Sequence, residues 1–159
     1  MSRDTVIFDL DGTIALDHNR KMWLNMPHEP GCKRDDEECT CKIRDWDKWY
    51  DACDTDEPNW PVIHVMNALA REYIIVIMTG RSQVVSEKTR EWLNLYRVSY
   101  HNIFMRPPKD YTEDVVMKLK WAEAYGFDQI LCVYEDRERM VNAWREKGVA
   151  CFQVAPGKF

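Results

Sequence analysis

Residues 4–13 read Asp4-Thr-Val-Ile-Phe-Asp9-Leu-Asp11-Gly12-Thr13, and their types and spacing could do chemistry. The apolar run Val6-Ile7-Phe8 has the length and composition of a fully buried parallel strand. Two aspartates one residue apart serve no packing purpose at the end of such a strand, because unpaired buried charge is costly. At a strand's carboxyl end they lie where open α/β sheets bind ligands. Carboxylates this close repel unless a cation sits between them, and hard oxygen donors suit Mg²⁺. The expectation is a metal-assisted carboxylate site within the first dozen residues.

Two further polar clusters follow apolar runs. Thr79-Gly80-Arg81 ends Tyr73-Ile-Ile-Val-Ile-Met78, and Glu135-Asp136-Arg137 ends Ile130-Leu-Cys-Val-Tyr134. Each cluster alone is ordinary turn content. Together, in register at one edge of a sheet, they form a site.

The elements that would position these clusters can be read from periodicity. Pro61 suits a first helical turn, and Val62, Ile63, Met66, Leu69 and Ala70 follow at helical spacing. Ser82 can cap a helix whose apolar face is Val84, Val85, Trp92 and Leu93. Ile103-Phe104-Met105 reads as a short strand, and Thr112 opens a helix bearing Val115, Val116, Leu119 and Ala122. Met140, Val141 and Trp144 mark a helix that Gly148 ends, before a last strand at Val149–Val154. Alternating strands and helices predict an α/β fold, a Rossmann-like parallel sheet with helices on both faces. The chain reads as one domain, residues 1–159. Residues 17–60 have no sustained period and form a small cap insert after the first strand.

Composition sets the class. The 159 residues are 45% hydrophobic and 31% charged, as in soluble globular proteins. No apolar run approaches membrane-spanning length, and the N-terminus lacks a signal-peptide core, so the expected compartment is a reducing cytoplasm and no membrane partner is expected. The six cysteines are then thiols or metal ligands rather than disulfides. A net charge of −5 argues against extended non-specific binding to a nucleic-acid backbone, though not against a small basic phosphate pocket.

Within the insert, His28-x3-Cys32-x6-Cys39-x-Cys41 places four soft ligands in fourteen residues. They suit a structural zinc clip, although the spacing is not that of a standard finger. The competing reading is a polar loop with incidental thiols. Cys53, Cys132 and Cys151 read as packing residues. Trp46, Trp49 and Tyr50 read as rings that pack the cap, with base stacking as the sharper alternative for Trp49.

Asp9-x-Asp11-Gly12-Thr13, Thr79-Gly80-Arg81, a downstream lysine and an acidic pair after a strand resemble the haloacid dehalogenase-like phosphatases. Thr79–Ser82, Met105-Arg106-Pro107, Glu135–Arg137 and the ending Phe152–Phe159 resemble, within them, the 3′-phosphatase domain of bacteriophage polynucleotide kinase. The resemblance covers most of residues 4–24 and 45–159. Glu135 departs from it, because the phage enzymes usually carry a second aspartate there. No Gly-x-x-x-x-Gly-Lys-Ser/Thr loop occurs in the 159 residues, so a phosphatase without its kinase half is expected.

The resemblance implies a Mg²⁺-dependent phosphomonoesterase acting on polynucleotide 3′-phosphate ends. Asp9 would attack phosphorus, forming an aspartyl-phosphate, and Asp11 would serve as general acid and then base. Mg²⁺ would be held by Asp9, the carbonyl of Asp11 and Asp136, with Glu135 the other acid in play. Thr79 and Lys118 would hold phosphate oxygens. Lys118 is preferred to Lys120 because it lies eight residues after Asp110, as in related phosphatases. Arg20 and Arg81 are the expected substrate arginines, and Asp114 matches a functional acid of the same pattern. Two alternatives stand: a nucleotidase acting on free nucleoside monophosphates, and an inactive binding protein of the same fold. If the gene is phage-borne, the compartment is the host cytoplasm. Oligomeric state is left open.

Overall fold

The computed structural model describes residues 3–24 and 44–157. Its elements are β1 (Thr5–Phe8), β2 (Ala15–Leu16), α1 (Trp46–Asp51), β3 (Glu57–Pro58), α2 (Trp60–Leu69), β4 (Ile74–Ser82), α3 (Ser86–Leu95), β5 (Asn102–Arg106), α4 (Asp114–Tyr125), β6 (Ile130–Glu135), α5 (Glu138–Glu146) and β7 (Ala150–Gln153). Short 3₁₀ turns at His18–Leu24 and Ala52–Thr55 complete the described parts of the insert.

Five strands form one sheet in the order β5-β4-β1-β6-β7, and every pairing in it is parallel. Side chains alternate across β1, as the pleat requires. Val6 and Phe8 join the core beneath α2 and α3, with Val62, Ile63, Met66, Trp92 and Leu93. Ile7 faces the opposite layer, with Ala122 of α4 and Met140, Val141 and Trp144 of α5. Both faces are covered, which explains why the strands read as unbroken apolar runs.

The chain moves outward from β1 to β4 and β5, then returns past β1 to β6 and β7. The order reverses between β1 and β6, and open α/β sheets bind ligands outside the carboxyl ends of the strands at such a point. That edge carries Asp9, Asp11, Glu135 and Asp136.

The insert is pinned at its base by the antiparallel pair β2–β3, with Ala15 opposite Pro58 and Leu16 opposite Glu57. Trp49 is 7% exposed, under the Arg20 guanidinium at 4.1 Å from its ring centroid. Trp46, expected to pack, is 44% exposed. The first helical residue of α4 is Asp114, not Thr112. The Thr112 amide donates to Asp110 Oδ1 (2.8 Å) and its carbonyl accepts from Arg106 Nη1 (2.6 Å), which holds it in the preceding loop. Cys53, Cys132 and Cys151 are buried free thiols. His28, Cys32, Cys39 and Cys41 lie outside the described residues. Among those described, no helix is long and apolar enough to cross a membrane.

Candidate active site

The β1 ladder continues past Phe8, where the Asp9 amide donates to the Tyr134 carbonyl at 3.0 Å. The chain then folds back. The amides of Thr13, Ile14 and Ala15 all donate to the Leu10 carbonyl, and that of Gly12 donates to Ala15. Gly12 takes a φ of 91°, a region that disfavours a side chain. This tight turn sends the two aspartates in different directions.

Asp9 faces a cluster of acids and one lysine. Its Oδ1 accepts from Lys118 Nζ at 2.5 Å, and its Oδ2 accepts from Thr13 Oγ1 at 3.3 Å. Lys118, the α4 lysine chosen over the exposed Lys120, is 2% exposed. Its ammonium also meets Glu135 Oε2 at 3.0 Å and Asp114 Oδ2 at 3.5 Å. Burial and the Glu135 charge push the Asp9 carboxyl up to about 7, against the pull of Lys118.

Asp11 faces arginines. Its Oδ1 accepts from Arg20 Nη2 and from Arg81 Nη2, each at 2.5 Å. Its Oδ2 accepts from Arg81 Nε at 3.3 Å and Thr79 Oγ1 at 3.4 Å. Burial works against its charge, but the guanidinium groups of Arg81 and Arg20 win and hold this carboxyl well below the usual range. Two carboxylates one residue apart are therefore shifted in opposite directions by their environments.

A bulge in the β4–β5 pairing between Thr79 and Ser82 turns Arg81 inward. Thr79 Oγ1 accepts from the Arg81 amide at 3.0 Å, which fixes the hydroxyl beside Asp11. Arg20 and Arg81, expected to contact substrate, are fully buried and bound to Asp11 and Asp56.

The acidic pair after β6 separates in the same way. Glu135 Oε1 accepts from the amides of Asp136 (3.2 Å) and Arg137 (3.3 Å), while its Oε2 accepts from Lys118. Asp136 packs against Gly12. The C-terminal segment buttresses this turn. Gln153 Nε2 donates to the Asp136 carbonyl at 2.9 Å, and the Gly157 carbonyl accepts from the Glu138 amide at 2.7 Å.

One carboxylate oxygen from each of Asp9, Glu135 and Asp136 lies within 4.8 Å of the others. Burial raises Glu135 to about 7 and Asp136 to about 6, the latter with help from the Asp9 charge. Three buried oxygen donors that resist ionising beside one another fit a hard divalent cation.

Asp114 stands behind the lysine, 3.5 Å from Arg137 Nη1 and 3.6 Å from Arg106 Nη2. Burial opposes its charge, but Lys118, Arg137 and Arg106 hold it below the usual carboxylate value. Asp56, Arg106 and Arg137 received no role from the sequence. Arg106 and Arg137 directly follow the expected strand and acidic pair, which is a usable signal. Asp56 is hidden in the acid-rich insert.

A family profile described as the polynucleotide kinase PNKP phosphatase domain matches residues 40–159. A protein of Autographa californica nuclear polyhedrosis virus, assigned the name bifunctional polynucleotide kinase/RNA ligase, is 31% identical over 146 residues. The match covers 89% of this chain and 18% of the viral protein. A chain of the Pnkp1/Rnl/Hen1 complex superposes with a TM-score of 0.75 at 28% identity, covering 99% of this chain and 47% of that one. The chain thus spans less than half the length of both relatives. A haloacid dehalogenase-like hydrolase of Streptococcus pneumoniae shares the fold, with a TM-score of 0.62 at 15% identity, covering 94% of this chain and 83% of that one. With the paired aspartates, the threonine and the lysine gathered at one sheet edge, the chain belongs to the polynucleotide kinase phosphatase-domain family of haloacid dehalogenase-like phosphatases.

Proposed function

We propose that this phosphatase is a Mg²⁺-dependent phosphomonoesterase that removes 3′-phosphates from polynucleotide ends through an aspartyl-phosphate on Asp9. The observation that carries the reading is geometric: Asp9 faces Lys118, Glu135 and Asp136, whereas Asp11 faces Thr79, Arg20 and Arg81. The match to the phosphatase domain of polynucleotide kinase supports the polynucleotide end as substrate.

Asp9, Asp136 and the Asp11 carbonyl would hold Mg²⁺, which supplies charge neutralisation between the Asp9 carboxylate and an anionic phosphate. Glu135 spends both its oxygens on Lys118 and two amides, so its role is to orient the lysine. Lys118 Nζ and Thr79 Oγ1 hold phosphate oxygens and fix phosphorus in line with Asp9. Asp114 sets Lys118 from behind, and Arg20 and Arg81 set Asp11.

An Asp9 oxygen attacks phosphorus, and the bond from phosphorus to the sugar 3′-oxygen breaks. Asp11 gives its proton to that leaving oxygen. Asp11 then takes a proton from water as the water oxygen attacks phosphorus. The bond to Asp9 breaks, and inorganic phosphate leaves. The dianionic phosphate adds negative charge beside the two guanidinium groups, which weakens their hold on Asp11 and lets it carry the proton it must donate.

The test is phosphate release with Mg²⁺ from a 3′-phosphorylated oligonucleotide, a 5′-phosphorylated one, and 3′- and 5′-nucleoside monophosphates. The expected result is the highest kcat/KM on the 3′-phosphorylated oligonucleotide. Higher efficiency on free monophosphates would replace the reading with a nucleotidase.

A further inference from the structure

Asp56 lies near the end of the insert, one residue before β3, and its side chain is wholly buried. Its Oδ1 accepts from Arg20 Nε at 2.6 Å. Its Oδ2 accepts from Arg20 Nη2 at 2.6 Å and from Arg81 Nη2 at 3.0 Å. Its carbonyl accepts from the buried Trp92 indole at 2.9 Å, which ties it to α3. The Nη2 atoms of Arg20 and Arg81 that reach Asp56 Oδ2 also donate to Asp11 Oδ1, so each bridges the two carboxylates. Among the described residues, Asp11 and Asp56 are the two side chains that accept from both arginines.

The arrangement has a physical reason. Two guanidinium groups side by side repel, and buried charge must be answered. Asp11 alone brings one negative charge against two positive ones. Asp56 makes the group neutral and grips Arg20 by two parallel bonds, a geometry that fixes the plane of a guanidinium. Arg20 also donates to the Trp49 carbonyl at 2.9 Å, and Arg81 Nη1 donates to Thr89 Oγ1 at 3.2 Å. Arg20 comes from the insert and Arg81 from the sheet edge. Asp56 joins them.

We propose that Asp56 is a positioning residue, which holds Arg20 and Arg81 where they aim the Asp11 carboxyl at the leaving oxygen and so couples the insert to proton transfer. This rests on the reading of Asp11 as the proton donor. Asp56 does not touch the substrate and acts through the two arginines.

A purely structural role for Asp56 would slow every substrate alike. A role through Asp11 depends on the leaving group. A sugar alkoxide needs a proton as it departs, whereas the phenolate of p-nitrophenyl phosphate departs without one.

The experiment measures kcat/KM, which reports the leaving-group step and not hydrolysis of the shared phosphoenzyme, on a 3′-phosphorylated oligonucleotide and on p-nitrophenyl phosphate, with Mg²⁺, for the parent chain, Asp11→Asn, Asp56→Asn and Asp56→Glu. Asp56→Asn is expected to lose roughly tenfold or more on the oligonucleotide, a share of the general-acid effect, and less than about threefold on the aryl phosphate. Asp56→Glu keeps the charge and is expected to show a smaller split of the same kind. An equal loss on both substrates, or no loss, would overturn the proposal. If the amide variant does not fold, the Asp56→Glu result decides in the same way. If Asp11→Asn itself shows no leaving-group split, the acid role falls, and the Asp56 proposal with it. A split for Asp11→Asn without one at Asp56 removes the Asp56 proposal alone.

Discussion

Asp136 fills the space that a Cβ on Gly12 would need, so a side chain there would overlap its carboxylate. The Gly12 φ of 91° adds a second penalty for any L-residue. Gly12→Ala is expected to push Asp136 from Asp9 and weaken Mg²⁺ binding roughly tenfold or more. Gly148→Ala is the control, because Gly148 has a φ of 75° but nothing within 4 Å of its would-be Cβ. It should lower the melting temperature through backbone strain alone and leave Mg²⁺ affinity intact. Titration calorimetry with Mg²⁺ on both variants checks this, and equal affinities would remove the link between Gly12 and the cation.

Asp9→Asn is expected to abolish turnover while keeping the fold. The amide has the same shape and removes one of three acids crowded within 4.8 Å. Burial and Glu135 oppose ionisation of Asp9, so at about pH 8 without Mg²⁺ the variant should melt no lower than the parent chain. Phosphate release and a thermal melt are sufficient. Robust phosphate release would end the nucleophile assignment.

The sheet and its four flanking helices were legible from apolar runs and helical spacing, although Val84 and Val116, read as apolar-face residues, are exposed. The site edge was legible from polar clusters at the carboxyl ends of three strands. What escaped depends on distant partners. Trp46 and Trp49 share one six-residue helix, and their spacing does not say which ring turns inward. The Arg20 guanidinium, from the other end of the insert, settles it by covering Trp49. Asp56 meets arginines 36 and 25 residues away, so no local pattern marks it. Lys118 meets Asp9 across 109 residues, and only the family resemblance singled it out from Lys120. The start of α4 moved from Thr112 because Arg106 claims the carbonyl that a helix would have used.

Lys118→Met is expected to be among the most damaging single changes to stability. The ammonium is buried against Asp9, Glu135 and Asp114, whose charges raise its pKa well above normal despite burial. Removing it leaves three buried acids without their shared cation, a loss of about 3–5 kcal/mol near neutral pH. The deficit should shrink as pH falls, because the orphaned carboxyls then take up protons. Denaturant melts at about pH 7.5 and about pH 5.5 check this, and an equal deficit at both would show that lost packing, not charge, dominates.

Mg²⁺ and pH are expected to act on stability through the same carboxyls. Asp9, Glu135 and Asp136 are raised to about 7, about 7 and about 6, in each case with burial as the leading cause. Between the ordinary carboxylate range and these values the folded chain holds more protons than the unfolded one. Their contribution is therefore present in mild acid and is lost as pH rises through about 6 to 7. Asp11 has the opposite sign, since its arginines lower it, and its contribution is lost only in stronger acid. Without Mg²⁺ the melting temperature should fall from about pH 5.5 to about pH 8. Mg²⁺ binds the deprotonated carboxylates and releases their protons, so its stabilising effect should grow over the same interval. Melts with EDTA and with millimolar Mg²⁺ across that range test the coupling. A Mg²⁺ effect of the same size at both ends would show that the cation does not bind through Asp9 and Asp136.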